Sequence, residues 1–163
     1  MVTDEVTALG GRAEAFIGDA VLGVFGVPVA HDDDAVRAVR AALAIVRRIE
    51  VLGERLALPV GLDVRVGIRT GQVAVGTATD RNLVVGSEVN LGARLQQAAH
   101  PGEILVGETT RELTGDEVEY GQMRRIPAKG VQTELKAWPV VRLLSRAARD
   151  SVPSSTVAPR SHS

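Results

Sequence analysis

The first stretch whose residues could do chemistry is GGRAEAFIGDAVLGVFG, residues 10–26, which contains one aspartate, Asp19. Apolar and small residues on both sides of Gly18-Asp19 form two short strand-like runs, and this dipeptide is typical of a tight turn that joins such runs. A carboxylate at the tip of a hairpin is within reach of a metal ion or a phosphate-bearing ligand. An aspartate after glycine is also a common turn former. Taken alone, the stretch favours that structural role.

The second stretch begins at Asn82 and reads NLVVGSEVNLGARLQQAAHPGEILVGETT. Its pattern predicts a short strand and then a helix that begins near Ser87 and ends before Pro101-Gly102. Asn90 and Arg94 are four residues apart, so both project from one face of that helix. An amide suits a ribose, and a guanidinium offers a fork of donors to a phosphate. Such residues are common on exposed helices, so the pair indicates a ligand site only together with the hairpin that precedes it.

The elements between and after these stretches can be predicted from periodicity. Asp32, Asp33 and Asp34 precede a helix whose apolar residues recur every 3.6 residues: Val36, Val39, Leu43, Val46 and Ile49. Capping and the helix dipole explain acidic residues at a helix start, so we assign no metal site there. Its arginines are assigned to the solvated face: Arg37, Arg40, Arg47 and Arg48. Further strands are predicted at 63–68, 72–75, 103–106, 123–126 and 137–144, and a short helix at 110–113.

Composition narrows the class of protein. The 163 residues suit one domain, and a hydrophobic content of 45% is sufficient for a core. The net charge of −1 argues against a broad basic surface for nucleic acid. The absence of cysteine excludes disulfides and thiolate chemistry. No apolar run approaches ~20 residues, and no signal peptide is present, so we expect a cytoplasmic protein without a membrane span.

Several motifs together resemble the catalytic domain of class III nucleotide cyclases, the adenylate and guanylate cyclases, most closely in bacterial forms. The matching segments follow the family's order from about residue 10 to 144: GGRAEAFIGDAVLGVFGVPVAHDDDAVRAVRAALAI, VRVGIRTGQVAVG, VVGSEVNLGARLQQAAHPGEILVGETT and AKGVQTELKAWPVVRLL. The family converts ATP or GTP to a 3′,5′-cyclic nucleotide and pyrophosphate. Its active site lies between two protomers, which implies a homodimer or a heterodimer with another cyclase domain.

The resemblance implies a role for each matching residue. Asp19 matches one of the two aspartates that bind Mg²⁺ or Mn²⁺ in the family. Asn90 matches the asparagine that orients the ribose, and Arg94 matches the arginine that stabilises charge on the phosphate in the transition state. Lys129 matches the lysine that contacts the terminal phosphates. Arg69 stands where the family often has histidine, and we give it no catalytic role.

Three positions depart from the family pattern. The other metal aspartate belongs to an upstream segment resembling F-x-D-[IL]-x-G-[FS]-T, and none of the eighteen residues before Asp19 forms it. The base-recognition positions hold Ala15, four residues before Asp19, and Leu83, seven before Asn90. Neither side chain can hydrogen-bond a purine, so the choice between ATP and GTP stays open. Asp4 lacks the surrounding strand and is not assigned to the metal site.

The expected fold is α/β, an α+β sandwich of the ferredoxin-like cyclase type that lacks the family's first strand and first helices. Residues 1–9 are expected to be the remnant of a helix end, 10–144 the cyclase homology domain and 145–163 a disordered tail. The expected function is that of an N-terminally truncated cyclase domain, inactive or nearly so alone. One alternative is a half-site partner that supplies Asn90, Arg94 and Lys129 to a complete cyclase. A second is a non-enzymatic nucleotide-sensing or dimerisation module. A third is an ordinary cyclase domain whose true start codon lies upstream and restores the missing strand. The missing carboxylate leaves open whether the chain is itself an enzyme.

Overall fold

The computed structural model describes residues 1–17, 20–78, 81–127 and 134–145. Within these ranges the chain forms helices and strands, each numbered in chain order. The helices are α1 (Val2–Ala8), α2 (Asp34–Leu56), α3 (Ser87–Ala98) and α4 (Glu108–Thr114). The strands are β1 (Arg12–Ile17), β2 (Ala20–Val24), β3 (Val66–Ile68), β4 (Ala74–Ala78), β5 (Arg81–Val85), β6 (Ile104–Gly107), β7 (Val118–Tyr120), β8 (Arg124–Ile126) and β9 (Leu135–Leu143).

Two antiparallel hairpins form two-stranded sheets of their own. In the first, β1 pairs with β2, and the register places Ile17 opposite Ala20. Two residues therefore connect these strands, as the Gly18-Asp19 pattern predicts, although both lie outside the described residues. In the second, β4 pairs with β5. The hairpin predicted around Asp19 is confirmed.

The main sheet has the order β3-β6-β9-β7, and β8 pairs with β9 on the same side as β7. Strand β3 runs parallel to β6, whereas β9 is antiparallel to β6, β7 and β8. Among the described residues, β3 pairs with β6 alone, so its second edge carries no strand. With its helices the sheet gives the mixed α+β architecture that the sequence predicts.

Side-chain alternation along β6 builds two apolar clusters on opposite faces of the sheet. Ile104 and Val106 pack with Val39 and Ala42 of α2 and with Val118 of β7. Leu105, between them, packs with residues from α3, its C-cap and the last strands: Leu95, Ala99, Ile126 and Ala137. Helix α2 therefore covers one face and α3 the other, which fixes the side of the sheet on which Asn90 and Arg94 lie.

The arginines of α2 include one that the solvated-face assignment describes wrongly. The Arg37 side chain is 21% exposed, and its guanidinium pairs with Asp34 at 2.5 Å and donates to the Leu9 carbonyl at 3.3 Å. Arg37 is partly buried because it ties the end of α1 to the first turn of α2. Arg40, Arg47 and Arg48 are exposed, as predicted.

A chain of hydroxyl groups links α4 to β7. Thr114 is buried and donates its one hydroxyl hydrogen to the Thr110 carbonyl at 2.7 Å. The hydrogen bond between Thr114 and Tyr120 must therefore be donated by the tyrosine. Burial raises the pKa of the Tyr120 hydroxyl, more than the positive charge of Arg111 lowers it.

Replacing Tyr120 with phenylalanine should change how stability depends on pH. Because the folded state holds the tyrosine proton more tightly, this group's contribution is complete below about pH 10 and is lost as the pH rises through the raised pKa. We expect Tyr120→Phe to cost about 1 kcal/mol at neutral pH and to lose less stability in alkali. Urea unfolding of both proteins from neutral pH into alkali measures this, and parallel stability curves would contradict it.

Candidate functional site

Helix α3 carries the pair of residues singled out by their spacing. It begins at Ser87, as predicted, with Gly86 as its N-cap residue, and it ends at Ala98, before Pro101-Gly102. Leu95 is fully buried against the sheet and fixes the inward face of the helix. Asn90 is exposed and Arg94 is partly buried. The two candidate side chains thus leave a helix whose other face is anchored in the core.

The backbone of β3 approaches α3 unusually closely at Gly67. A Cβ atom built on Gly67 would lie 2.3 Å from the carbonyl oxygen of Gly92 and 2.5 Å from the backbone nitrogen of Gln96. Only glycine leaves room for this contact without displacing one of the two backbones. The distance between sheet and helix is therefore set by a residue with no side chain.

A second attachment of α3 is the ion pair between Arg69, directly after β3, and Glu88 in the first helical turn. The Arg69 Nε atom donates to Glu88 Oε2 at 2.9 Å, and both side chains are largely buried. Thr70 is hydrogen-bonded to the buried Thr110 of α4 at 2.8 Å. The chain after β3 is thus tied to the starts of both following helices.

Arg94 is available to a ligand. Within the ranges that the structure describes, its guanidinium forms no ion pair, whereas Arg69 is committed to Glu88. A guanidinium next to an exposed amide one helical turn away can bind an anionic group and a neutral hydroxyl-bearing group together. Such an arrangement fits a nucleotide.

The remaining predicted site residues are Asp19, Lys129, Ala15 and Leu83, and the structure describes only the last two. Asp19 and Lys129 lie outside the described residues. Ala15 is in β1 opposite Leu22, and Leu83 is in β5 opposite Gly76, with backbone positions alone described. Strands β1 and β5 contact each other. The fold therefore brings together the two hairpins that carry the positions matched to base recognition by the resemblance.

The residues available for metal binding are few. Within 1–17, 20–78, 81–127 and 134–145, no three His, Asp or Glu side chains form a group able to hold an ion. In the aspartate run, Asp34 accepts a hydrogen bond from the His31 backbone nitrogen at 2.6 Å and pairs with Arg37. This accords with its assignment to the helix start. Asp19, which the resemblance matches to a metal role, lies outside these ranges.

Sequence reasoning did not find the support behind α3. Arg69 and Glu88 are nineteen residues apart, and each is an unremarkable charged residue in its own segment. The available signal was positional: Arg69 follows a strand directly, and Glu88 lies in the first turn of the helix that packs on that strand.

No helix of the described chain is long and apolar enough to cross a membrane.

Comparisons with known proteins identify the family of the chain. Residues 13–141 match the family model for the adenylate and guanylate cyclase catalytic domain. An uncharacterized protein of Mycobacterium tuberculosis is 40% identical over 115 residues, which are 71% of this chain and 26% of that protein. The chain spans about a quarter or less of the length of the first curated relatives that it matches.

Two solved structures are similar over most of their length. The guanylyl cyclase Cya2 is 32% identical with a TM-score of 0.79, over 89% of this chain and 77% of that chain. The adenylyl cyclase CyaB of P. aeruginosa is 30% identical with a TM-score of 0.81, over 90% of this chain and 79% of that chain. The chain therefore belongs to the adenylate and guanylate cyclase catalytic domain family.

Proposed function

We propose that this chain is a nucleotide cyclase domain that contributes Asn90 and Arg94 to the conversion of ATP or GTP and has little or no activity alone. The observation that carries the proposal is the Arg94 guanidinium, which forms no ion pair with any described residue and lies one turn from an exposed amide, on a helix fixed to the sheet at two points. In the family reaction the 3′-oxygen loses its proton and bonds to the α-phosphorus. The bond from that phosphorus to the bridging oxygen breaks, and pyrophosphate leaves.

The proposed roles follow from the chemistry of the side chains. The Asn90 amide holds the ribose so that its 3′-hydroxyl faces the α-phosphate. Arg94 donates to the phosphate oxygens and stabilises the negative charge that develops on them. Lys129 contacts the terminal phosphates. Each group binds or orients the substrate, and none serves as a general base.

The proposed low activity rests on two deficits of the 163 residues. Mg²⁺ or Mn²⁺ would neutralise charge at the phosphates. Asp19 is the one carboxylate that matches a metal ligand of the family and would hold the ion. Ala15 and Leu83 offer no hydrogen bond to a base, so purine discrimination is expected to be poor. The chain would therefore supply the residues that bind the ribose and the phosphates, but only one of the two carboxylates that bind the metal ions.

A second candidate function follows from this asymmetry. In a dimer with another cyclase domain, the chain would present Asn90, Arg94 and Lys129 to a nucleotide whose metal ions the partner holds. An Arg94 guanidinium that pairs with no carboxylate of the described part of the chain favours this half-site role. A homodimer would lack the same carboxylate on both sides. Nucleotide binding without turnover in any pairing would instead indicate a sensing or dimerisation module in the cytoplasm, where ATP and GTP are present.

The purified chain tests the first proposal directly. Incubated with ATP or GTP and with Mg²⁺ or Mn²⁺, it should form no more cyclic nucleotide than the Asp19→Ala variant, because one carboxylate cannot organise two ions. The product is measured by chromatography. Product formation that Asp19→Ala abolishes would overturn the proposal of low activity.

A further inference from the structure

The ion pair between Arg69 and Glu88 is more than a surface contact. Its Nε to Oε2 distance is 2.9 Å, and the two side chains are 17% and 20% exposed. Partial burial limits screening by water and salt, and it holds both side chains in one geometry, unlike an exposed pair. The pair therefore fixes the first turn of α3 to the end of β3.

Two glycines leave the space that this pair fills. A Cβ atom on Gly71 would lie 2.6 Å from the Cδ atom of Glu88, and one on Gly107 would lie 2.7 Å from Nη1 of Arg69. The stem of Arg69 also passes Gly92 of α3, at 3.8 Å from its Cβ position. The chain after β3 and the start of α4 thus enclose the pair from both sides.

The two attachments of α3 have different mechanical effects. The contact between Gly67 and Gly92 sets the distance of the middle of the helix from the sheet. The pair at Glu88 sets the direction of its first turn. Without the second attachment, the first turn can pivot about Gly92. Asn90 lies between the pivot and the freed end, so it is the functional residue that such a movement displaces.

We propose that Arg69 is a positioning residue that acts through Glu88 to hold α3 in the orientation that Asn90 needs to align the ribose. The inference rests on the proposed function of Asn90. Arg69 touches no substrate in this scheme. Its contribution is to the alignment of the 3′-hydroxyl, and small misplacements of reacting groups lower rates sharply.

Amide hydrogen exchange of the nucleotide-free chain tests the mechanical step. Arg69→Met should speed exchange at residues 89–92 about tenfold, because the first turn loses its anchor. The matched control is Arg124→Met, which breaks the partly buried pair between Arg124 and Glu103 near the other end of α3. That control should leave residues 89–92 unchanged. Unchanged exchange in Arg69→Met would overturn the inference, whatever the catalytic result.

Turnover tests the functional step, in a mixture with a cyclase that lacks its own transition-state arginine. Arg69→Met should lower kcat about tenfold with little change in KM, and should add almost nothing in an Asn90→Ala background. Glu88→Gln, which keeps an acceptor for Arg69, should cost less. An equal loss in both backgrounds would refute action through Asn90. If the unmodified chain gives no turnover, the proposed function fails, and hydrogen exchange still decides the role of Arg69 in orienting α3.

Discussion

Cyclic nucleotide should appear when this chain is mixed with a family cyclase whose own transition-state arginine has been replaced by alanine, and Arg94→Ala in this chain should abolish that product. The partner supplies the paired metal carboxylates, and this chain supplies the missing guanidinium. Removing one preorganised donor to developing charge lowers turnover by about 10²- to 10³-fold. Product formation at saturating ATP or GTP, followed over time, measures the restored activity.

The matched control for this experiment is Arg47→Ala. Arg47 is an exposed arginine of α2, on the sheet face opposite α3, so its loss should leave the restored activity intact. A general effect of losing one positive charge would lower both variants equally. The half-site role is wrong if the unmodified chain restores nothing at concentrations where a complex with the partner is demonstrated by ultracentrifugation.

Gly67→Ala should destabilise the fold and displace α3. The new methyl carbon would sit 2.3 Å from the Gly92 carbonyl oxygen and 2.5 Å from the Gln96 nitrogen, both of which are backbone atoms that no rotamer change can move. Overpacking of this kind costs about 1–3 kcal/mol. Urea unfolding measures the loss, and the affinity for ATP or GTP, measured by calorimetry, should fall with it.

Gly61→Ala is the control for the backbone effect of losing a glycine. A Cβ atom on Gly61 would meet nothing within 4 Å, so this change should be neutral or slightly stabilising. Equal unfolding midpoints for the two variants would show that β3 and α3 are not in the close contact described above.

Local pattern was sufficient to predict the elements that bear the site. The 3.6-residue period predicts α2, where Val36 and Val39 are buried, and the two runs around Gly18-Asp19 predict the first hairpin. The helix predicted from Ser87 begins there. Strand β7 was missed because its three residues carry no periodic signal and depend on pairing with β9.

The site could be predicted only in part, for a physical reason. The spacing of Asn90 and Arg94 within one helix is a local property, and sequence shows it directly. The attachment of that helix is not local: Gly67 meets Gly92, and Arg69 meets Glu88, across a strand-to-helix interface. Arg37 was misassigned for the same reason, since its partner Leu9 is twenty-eight residues away.

The pairing of β9 has a consequence for synthesis on the ribosome. Among the described strands, β9 alone joins β6 to β7 and β8, and it is the last of them to be translated. Until Leu135–Leu143 leaves the exit tunnel, β6 has an open edge, and the apolar side chain of Leu105 lacks the cover of Ala137. Until β9 emerges, the nascent polypeptide therefore exposes an unpaired strand edge and apolar surface that can aggregate.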